Sequence, residues 1–182
     1  MSYDLFEHRH RFAVWAGARA AQRGFATVEN LRDALEATNI RQFVADSSSL
    51  DIGAAAFEVQ HRIWCHSIVD YLSEKGVANA TFGRAAKLVA VYLKSMIVVG
   101  PHAGSALAKI VHPPIDRILL QNLGMSSEIQ SDHKKAWLAT SWTMLDEPGY
   151  YSLLSQLRTV LGGSDPWWAI ERHWTVTNSP SV

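Results

Sequence analysis

Apolar residues recur at helical spacing through almost the whole chain, and this pattern most limits the folds that the sequence can form. In the clearest case, residues 53–75, one face carries Phe57, Trp64, Ile68 and Tyr71. No run alternates convincingly between apolar and polar residues, which is the pattern of a half-buried strand. The sequence therefore predicts an all-α fold. We expect a compact orthogonal bundle of about eight helices, in one domain over residues 1–182, with a two-lobed arrangement as a variant.

Capping and breaking residues set the expected helix bounds. The predicted helices cover about 4–23, 28–38, 53–75, 81–99, a short stretch within 101–113, 113–123, 127–144, 147–161 and 165–173. Thr27 is the expected N-cap of the second helix, and Pro113 or Pro114 is expected in the first turn of the sixth. The apolar face predicted for the first helix comprises Leu5, Phe12, Trp15, Ala16 and Ala20.

The charge balance and the cysteine count narrow the possible functions. Basic and acidic residues number 17 each, so nucleic-acid binding would need a local basic patch. Cys65 is the only cysteine, which excludes a disulfide within the chain and disfavours a thiolate metal site. The N-terminus lacks the apolar core of a secretion signal, and the apolar run at 88–99 is interrupted and too short to span a bilayer. We therefore expect a cytoplasmic protein with no membrane partner, no metal and no other cofactor.

Two lysines and one aspartate stand out in the apolar segment 87–120. Lys87 and Lys94 are two helical turns apart and share one stripe, while the opposite stripe has a core pattern. The simplest interpretation is that both ammonium groups reach solvent at the helix edge. Asp116 follows the proline pair in "HPPIDRILL", where a carboxylate stabilises a helix N-terminus. Functionally, a lysine in apolar surroundings is a usable nucleophile, and a fixed carboxylate can stabilise an oxocarbenium cation.

This segment resembles the catalytic segment of the helix–hairpin–helix DNA glycosylases. "GRAAKLVAVYL" (83–93) is similar to the endonuclease III branch, a match that implies Lys87 as the catalytic lysine. "KLVAVYLKSM" (87–96) is similar to the archaeal 8-oxoguanine glycosylase branch, a match that implies Lys94, and this is the assignment we favour. Asp116 fits the catalytic aspartate in both matches.

The resemblance implies a DNA glycosylase that acts as a monomer on duplex DNA containing a damaged or modified base. Such an enzyme extrudes the base and cleaves its glycosidic bond, with or without strand cleavage. The implied phosphate contacts are Arg84, His102, Lys109 and Arg117. The sequence departs from the family at its hairpin, where Gly83 stands nearly alone in place of a Gly-rich turn, and it lacks the four cysteines of an iron–sulfur cluster.

Several other aromatic and histidine residues admit both core and site roles. Trp64, Trp137 and Trp142 have the positions of core residues. His61 lies on the apolar face of its helix, so a core role is the simpler interpretation, but His61 and Trp15 are also candidates for a substrate pocket. The alternatives to a glycosylase are a non-catalytic helical module that binds DNA or a protein, and an unrelated all-α enzyme.

Overall fold

The computed structural model describes residues 3–175, and every regular element within them is helical. The α-helices are α1 (Leu5–Ala21), α2 (Val28–Glu36), α3 (Ile40–Ala45), α4 (Ala54–Glu74), α5 (Phe82–Leu93), α6 (Ala106–Ile110), α7 (Arg117–Met125), α8 (Lys134–Ala139) and α9 (Glu147–Arg158). Three 3₁₀ segments cover Ser47–Asp51, Trp142–Met144 and Trp167–His173, and a π-helical turn covers Lys94–Val98. The prediction of an all-α fold is confirmed.

Helix α5 is the centre of the bundle. It packs against α1 on one side and α4 on the other, and also contacts the 3₁₀ segment Trp142–Met144 and α9. Its predicted core stripe is buried, and so are nearly all of its other side chains. Helices α1 and α4 keep exposed faces, so α5 differs from them in being enclosed by other elements on nearly every side.

The face of α1 that packs on α5 is not the one predicted from the sequence. Leu5, Phe12 and Trp15 are each more than half exposed. The buried face consists mainly of small residues, namely Ala13, Val14, Gly17, Ala18 and Ala21, together with His10. A Cβ atom on Gly17 would lie 3.1 Å from the Leu88 carbonyl oxygen, so the missing side chain lets the two helices approach closely. Large apolar side chains therefore misled the prediction, because close helix packing selected the small ones.

The start of α7 also differs from the prediction. Pro113 and Pro114 lie before the helix, and the first helical residue is Arg117. Asp116 has extended backbone angles and is the N-cap, because its Oδ1 accepts a hydrogen bond from the Leu119 N–H at 3.0 Å. Because this cap satisfies one of the free N–H groups of the first turn, the helix begins at Arg117 and not at the prolines. At α2, by contrast, the predicted cap is confirmed, since Thr27 accepts from the Asn30 N–H at 3.0 Å.

The helix predicted over 127–144 is broken into two short elements, α8 and the 3₁₀ segment Trp142–Met144. Serine side chains in the preceding loop accept hydrogen bonds from backbone N–H groups two residues later. The Ser126 hydroxyl accepts from the Glu128 N–H, and the Ser131 hydroxyl accepts from the His133 N–H. These local bonds compete with helical ones. The last predicted helix is likewise a 3₁₀ segment, Trp167–His173.

Three tryptophans are buried as predicted, namely Trp64, Trp137 and Trp142, and the single cysteine, Cys65, is buried as well. Within residues 3–175, none of the helices is both long enough and apolar enough to cross a membrane. The same part of the chain contains no cluster of three histidine, cysteine or acidic residues that could hold a metal ion.

Candidate active site

A cavity of about 580 Å³ opens beside the middle of α5. Its walls come from α1 and the turn after it, from α5 and the π-helical turn that follows it, from the start of α7, and from the segment Trp167–His173 with the residue after it. Lys87 and Asp116 lie together in this lining and are almost completely buried. The fold thus brings a lysine and a carboxylate, 29 residues apart in sequence, to one cavity wall.

Lys87 and Asp116 form a buried ion pair. The Lys87 Nζ lies 3.0 Å from the Asp116 Oδ2, and the two side chains are only 6% and 7% exposed. The same oxygen accepts a second hydrogen bond, from the Trp174 indole N–H at 3.0 Å. The Lys87 Nζ also lies 4.7 Å from the centre of the Trp142 ring, a cation–π contact. These contacts hold both charged groups in one orientation.

The surroundings of this pair change both acidities. Burial lowers the pKa of the Lys87 ammonium below its ordinary value, and this outweighs the opposing attraction of the Asp116 carboxylate. Burial alone would raise the pKa of Asp116, but the charge of Lys87 and the N–H groups of Leu119 and Trp174 together hold it below its ordinary value. At neutral pH Asp116 is therefore ionised, and Lys87 gives up its proton more readily than a lysine in water.

Lys94 faces the same cavity but does not contact Asp116. Its ammonium forms an ion pair with Glu171, on the segment Trp167–His173, and its side chain is 35% exposed. Lys94 begins the π-helical turn, in which its carbonyl accepts from the Val99 N–H at 2.9 Å. Turns of this kind are frequent at functional sites. Of the two candidate lysines, the one that contacts Asp116 is thus Lys87, whereas the resemblance described in the sequence analysis led us to favour Lys94.

The backbone of Gly83 is used for packing. Its N–H donates to the Leu145 carbonyl at 2.9 Å, and a Cβ atom at this position would lie 2.1 Å from the Trp142 carbonyl oxygen. Glycine is therefore required for α5 to contact the 3₁₀ segment Trp142–Met144. Because its N–H already has an acceptor, this residue does not offer the free backbone donor that a hairpin uses for phosphate.

The basic residues predicted to contact phosphate fall into two groups. Arg84 and Arg117 line a second cavity of about 350 Å³, together with Arg23. His102 and Lys109 lie on the stretch between α5 and α7 and line neither this cavity nor the larger one. The structure therefore brings only two of the four residues together and adds Arg23, at the end of α1.

The two pocket candidates from the sequence do not line the larger cavity. His61 is completely buried, and its Nδ1 pairs with the Tyr151 hydroxyl at 3.0 Å. Trp15 is exposed on α1, where its ring lies 6.0 Å from that of Phe12, which does line the cavity. His61 has the core role that was the simpler interpretation, and Trp15 lies outside the cavity lining.

A cluster of two histidines and two tyrosines lies within the core. The rings of His61 and His112 are 4.5 Å apart, and His112 Nδ1 lies 3.3 Å from the Tyr150 hydroxyl. Burial and the nearby Arg62 lower the pKa of His112 to about 3, and burial also lowers that of His61 well below its ordinary value. Both rings are therefore neutral at neutral pH and act as hydrogen-bonding core residues.

This cluster makes the fold sensitive to acid. Because the unfolded chain binds a proton at His112 near pH 6.5 and the folded one only near pH 3, stability is full above pH 6.5 and falls as the pH drops toward 3. At pH 5 we expect His112 alone to lower the free energy of unfolding by about 2 kcal/mol. Urea unfolding at pH 7 and pH 5 measures this. Since His61 contributes a similar share, His112→Gln is expected to reduce the difference by about 2 kcal/mol and not to remove it, and an unchanged difference in that variant would contradict the assignment.

Some residues of the cavity had no signal in the sequence. Arg19 and Arg23 reach it from α1, Glu171 and Trp174 from the other end of the chain, and the helical pattern of neither segment indicates this convergence. Only the cluster of tryptophans near the C-terminus, which includes Trp174, marked part of the lining as unusual.

Comparison of the chain with family models, with curated proteins and with solved structures finds no match in any of the three.

Proposed function

We propose that the protein is a DNA N-glycosylase, which extrudes a damaged or modified base from duplex DNA and cleaves its glycosidic bond. The main support is the buried pair of Lys87 and Asp116 in the lining of a cavity large enough for a nucleobase. The resemblance of segment 83–120 to helix–hairpin–helix glycosylases supports the same reaction.

The volume and lining of the cavity suit a partly apolar ligand of the size of a nucleobase. Phe12, Val91 and Trp174 contribute apolar surface, while the charged groups are concentrated around Lys87 and Lys94. The glycosidic bond of a base stacked in duplex DNA is out of reach of such a recess, so the nucleotide must rotate out of the helix to enter it. An extruded base would then lie among the apolar residues with its sugar beside Asp116.

Asp116 stabilises the transition state in this mechanism. As the glycosidic bond breaks, positive charge develops on the sugar, and an ionised carboxylate fixed by three hydrogen bonds is a preorganised counter-charge. Its lowered pKa keeps it ionised at neutral pH. Because the donors are held by the fold, little reorganisation is needed at the moment of reaction.

Lys87 is the proposed nucleophile. Burial lowers the pKa of the Lys87 ammonium, so it gives up a proton to solvent in the cavity more readily than an ordinary lysine, while Asp116 at 3.0 Å stays ionised. The amine nitrogen forms a bond to the anomeric carbon as the bond to the base breaks, and the base leaves with the bonding electrons and takes up a proton. Opening of the sugar ring then gives an imine between Lys87 and the sugar, which borohydride reduces to a stable adduct.

A non-catalytic helical module that binds DNA or a protein is the second candidate. One observation favours it: Asp116 caps α7 and neutralises Lys87, so the pair has a sufficient structural role in joining α5 to α7. A module of this kind would keep the pair for packing and would use its basic residues for binding alone.

The two candidates are separated by an excision assay. The protein is incubated with duplexes that each carry one modified base, such as 8-oxoguanine, uracil or an alkylated purine, with and without borohydride. We expect abasic sites on at least one duplex and a covalent adduct on the same duplex. Abasic sites without an adduct would mean that water attacks in place of Lys87. Neither product on any duplex, with DNA binding retained, would favour the module.

A further inference from the structure

The second cavity concentrates positive charge next to the proposed active site. Arg23 comes from the end of α1, Arg84 from α5 and Arg117 from α7, and the rest of the lining includes the hydroxyl residues Thr140, Ser141 and Thr143. No acidic residue contributes to this lining. Three cations from separate elements therefore face one recess of about 350 Å³ with hydroxyl groups beside them.

Arg84 has donors that the described part of the chain leaves unpaired. Its guanidinium carbon lies 4.0 Å from the centre of the Phe25 ring, which fixes the plane of the group. Its Nε and Nη1 atoms are buried and have no hydrogen-bond partner within residues 3–175. A buried donor without an acceptor costs about 1–3 kcal/mol, and more for a charged group. A bound anion that accepted from one of these donors would reduce this cost.

The charge of the three arginines is also not compensated by a carboxylate, unlike that of four other arginines in the protein. Arg11, Arg32, Arg41 and Arg62 each form ion pairs with carboxylates. Within residues 3–175, Arg23, Arg84 and Arg117 form none. In a chain of zero net charge, this recess is therefore a local site of attraction for an anion.

We propose that this cavity binds one backbone phosphate of DNA, next to the nucleotide that is extruded into the larger cavity. The inference rests on the proposed function for its DNA source, although the anion chemistry stands without it. A guanidinium group donates two parallel hydrogen bonds to phosphate oxygens through Nη2 together with either Nε or Nη1, so one phosphate would satisfy one of the two unpaired donors of Arg84.

The two cavities share one lining residue, which places the phosphate beside the reacting sugar. Arg23 lines both of them. Trp142 lines the smaller one and supports the Lys87 ammonium at 4.7 Å. The Gly83 N–H is already bonded to the Leu145 carbonyl, so it is not free to bind a phosphate. The second cavity would then supply the contact to the DNA backbone that a Gly-rich hairpin otherwise provides.

The salt dependence of DNA binding tests the proposal. The probe is a duplex with one tetrahydrofuran abasic analogue, which cannot be cleaved, and affinity is measured by fluorescence anisotropy over a series of salt concentrations. Arg84→Gln and, separately, Arg117→Gln are each expected to weaken binding about tenfold and to reduce the slope of log affinity against log salt by about 0.9. Arg32→Gln, an ion-paired arginine on α2, is the matched control and is expected to change neither.

A neutral phosphate analogue then identifies the contact. A set of the same duplexes carries one methylphosphonate each, at successive positions. The wild-type protein is expected to lose about tenfold in affinity at one position beside the tetrahydrofuran, and Arg84→Gln is expected to be insensitive at that position alone. Arg84→Lys keeps a positive charge but lacks the paired N–H donors of a guanidinium group. It is expected to retain the slope of log affinity against log salt. Thermal unfolding checks that each variant is folded. Because Arg117 is exposed, Arg117→Gln provides an independent test of the cavity in addition to the Arg84 variants.

Three results would overturn the phosphate site. One is a methylphosphonate profile that is the same in Arg84→Gln as in the wild type. Another is an unchanged salt slope in folded Arg84→Gln and Arg117→Gln. The third is binding of inorganic phosphate that depends on Arg84 while DNA affinity does not, because the site would then take a free anion. DNA binding with the expected profile but no base excision would remove the glycosylase and leave the phosphate site.

Discussion

Replacing Asp116 with asparagine is expected to lower the rate of base excision by about 10³-fold. The substitution removes the negative charge that faces the developing cation, and the loss of one preorganised electrostatic group has effects of this order. The measurement is a single-turnover excision assay on whichever modified duplex the wild-type protein cleaves. DNA affinity is expected to stay the same or to increase, because a carboxylate near phosphates opposes binding.

The choice of asparagine separates chemistry from folding. Asparagine is as good an N-cap as aspartate, so α7 keeps its first hydrogen bond to the Leu119 N–H. Asp116→Asn and Asp116→Ala both leave the Lys87 ammonium without its carboxylate partner, which costs about 3–5 kcal/mol. Asp116→Ala also loses the cap, so its further loss of stability relative to Asp116→Asn, about 1 kcal/mol, measures the cap. Full excision activity in folded Asp116→Asn would mean that the carboxylate is only a cap, and it would remove the support for a glycosylase.

The order of elements along the chain could be predicted from the sequence because each depends on local patterns. The bounds of α4 follow from its apolar face and from Gly76, and the start of α2 follows from Thr27. Elements without such signals were lost. The six-residue helix α3 was not predicted, and the loop before α8 was predicted as helix because its serine bonds have no periodic pattern.

The candidate site could be predicted only where it lies on one segment. Lys87, Lys94 and Asp116 were all found, because the helix and the following cap are continuous in sequence. Which lysine meets Asp116 depends on the path of 30 residues between them, including a π-helical turn that no periodicity announces. The contacts of Trp174 and Arg23 depend on docking of the two ends of the chain, which is a property of the whole fold.

The choice between the two lysines leads to the second large effect. Lys87→Gln is expected to abolish the borohydride-trapped adduct completely, because glutamine has no nucleophilic amine. Lys94→Gln is expected to retain most of it. This variant is a matched control, since the same substitution is made on the wall of the same cavity, two helical turns away. Lys94 pairs with Glu171 at a partly exposed position, so its loss costs about 0–1 kcal/mol of stability.

The stability cost of Lys87→Gln needs its own control, because the variant leaves the buried Asp116 carboxylate without its partner. Breaking a buried pair in this way costs about 3–5 kcal/mol. The double variant Lys87→Gln with Asp116→Asn restores a neutral pair that can hydrogen bond, so it is expected to recover most of the stability and none of the adduct. An adduct that survives in Lys87→Gln and is lost in Lys94→Gln would assign the nucleophile to Lys94. That result would require the ion pair between Glu171 and the Lys94 ammonium to break when DNA enters the cavity.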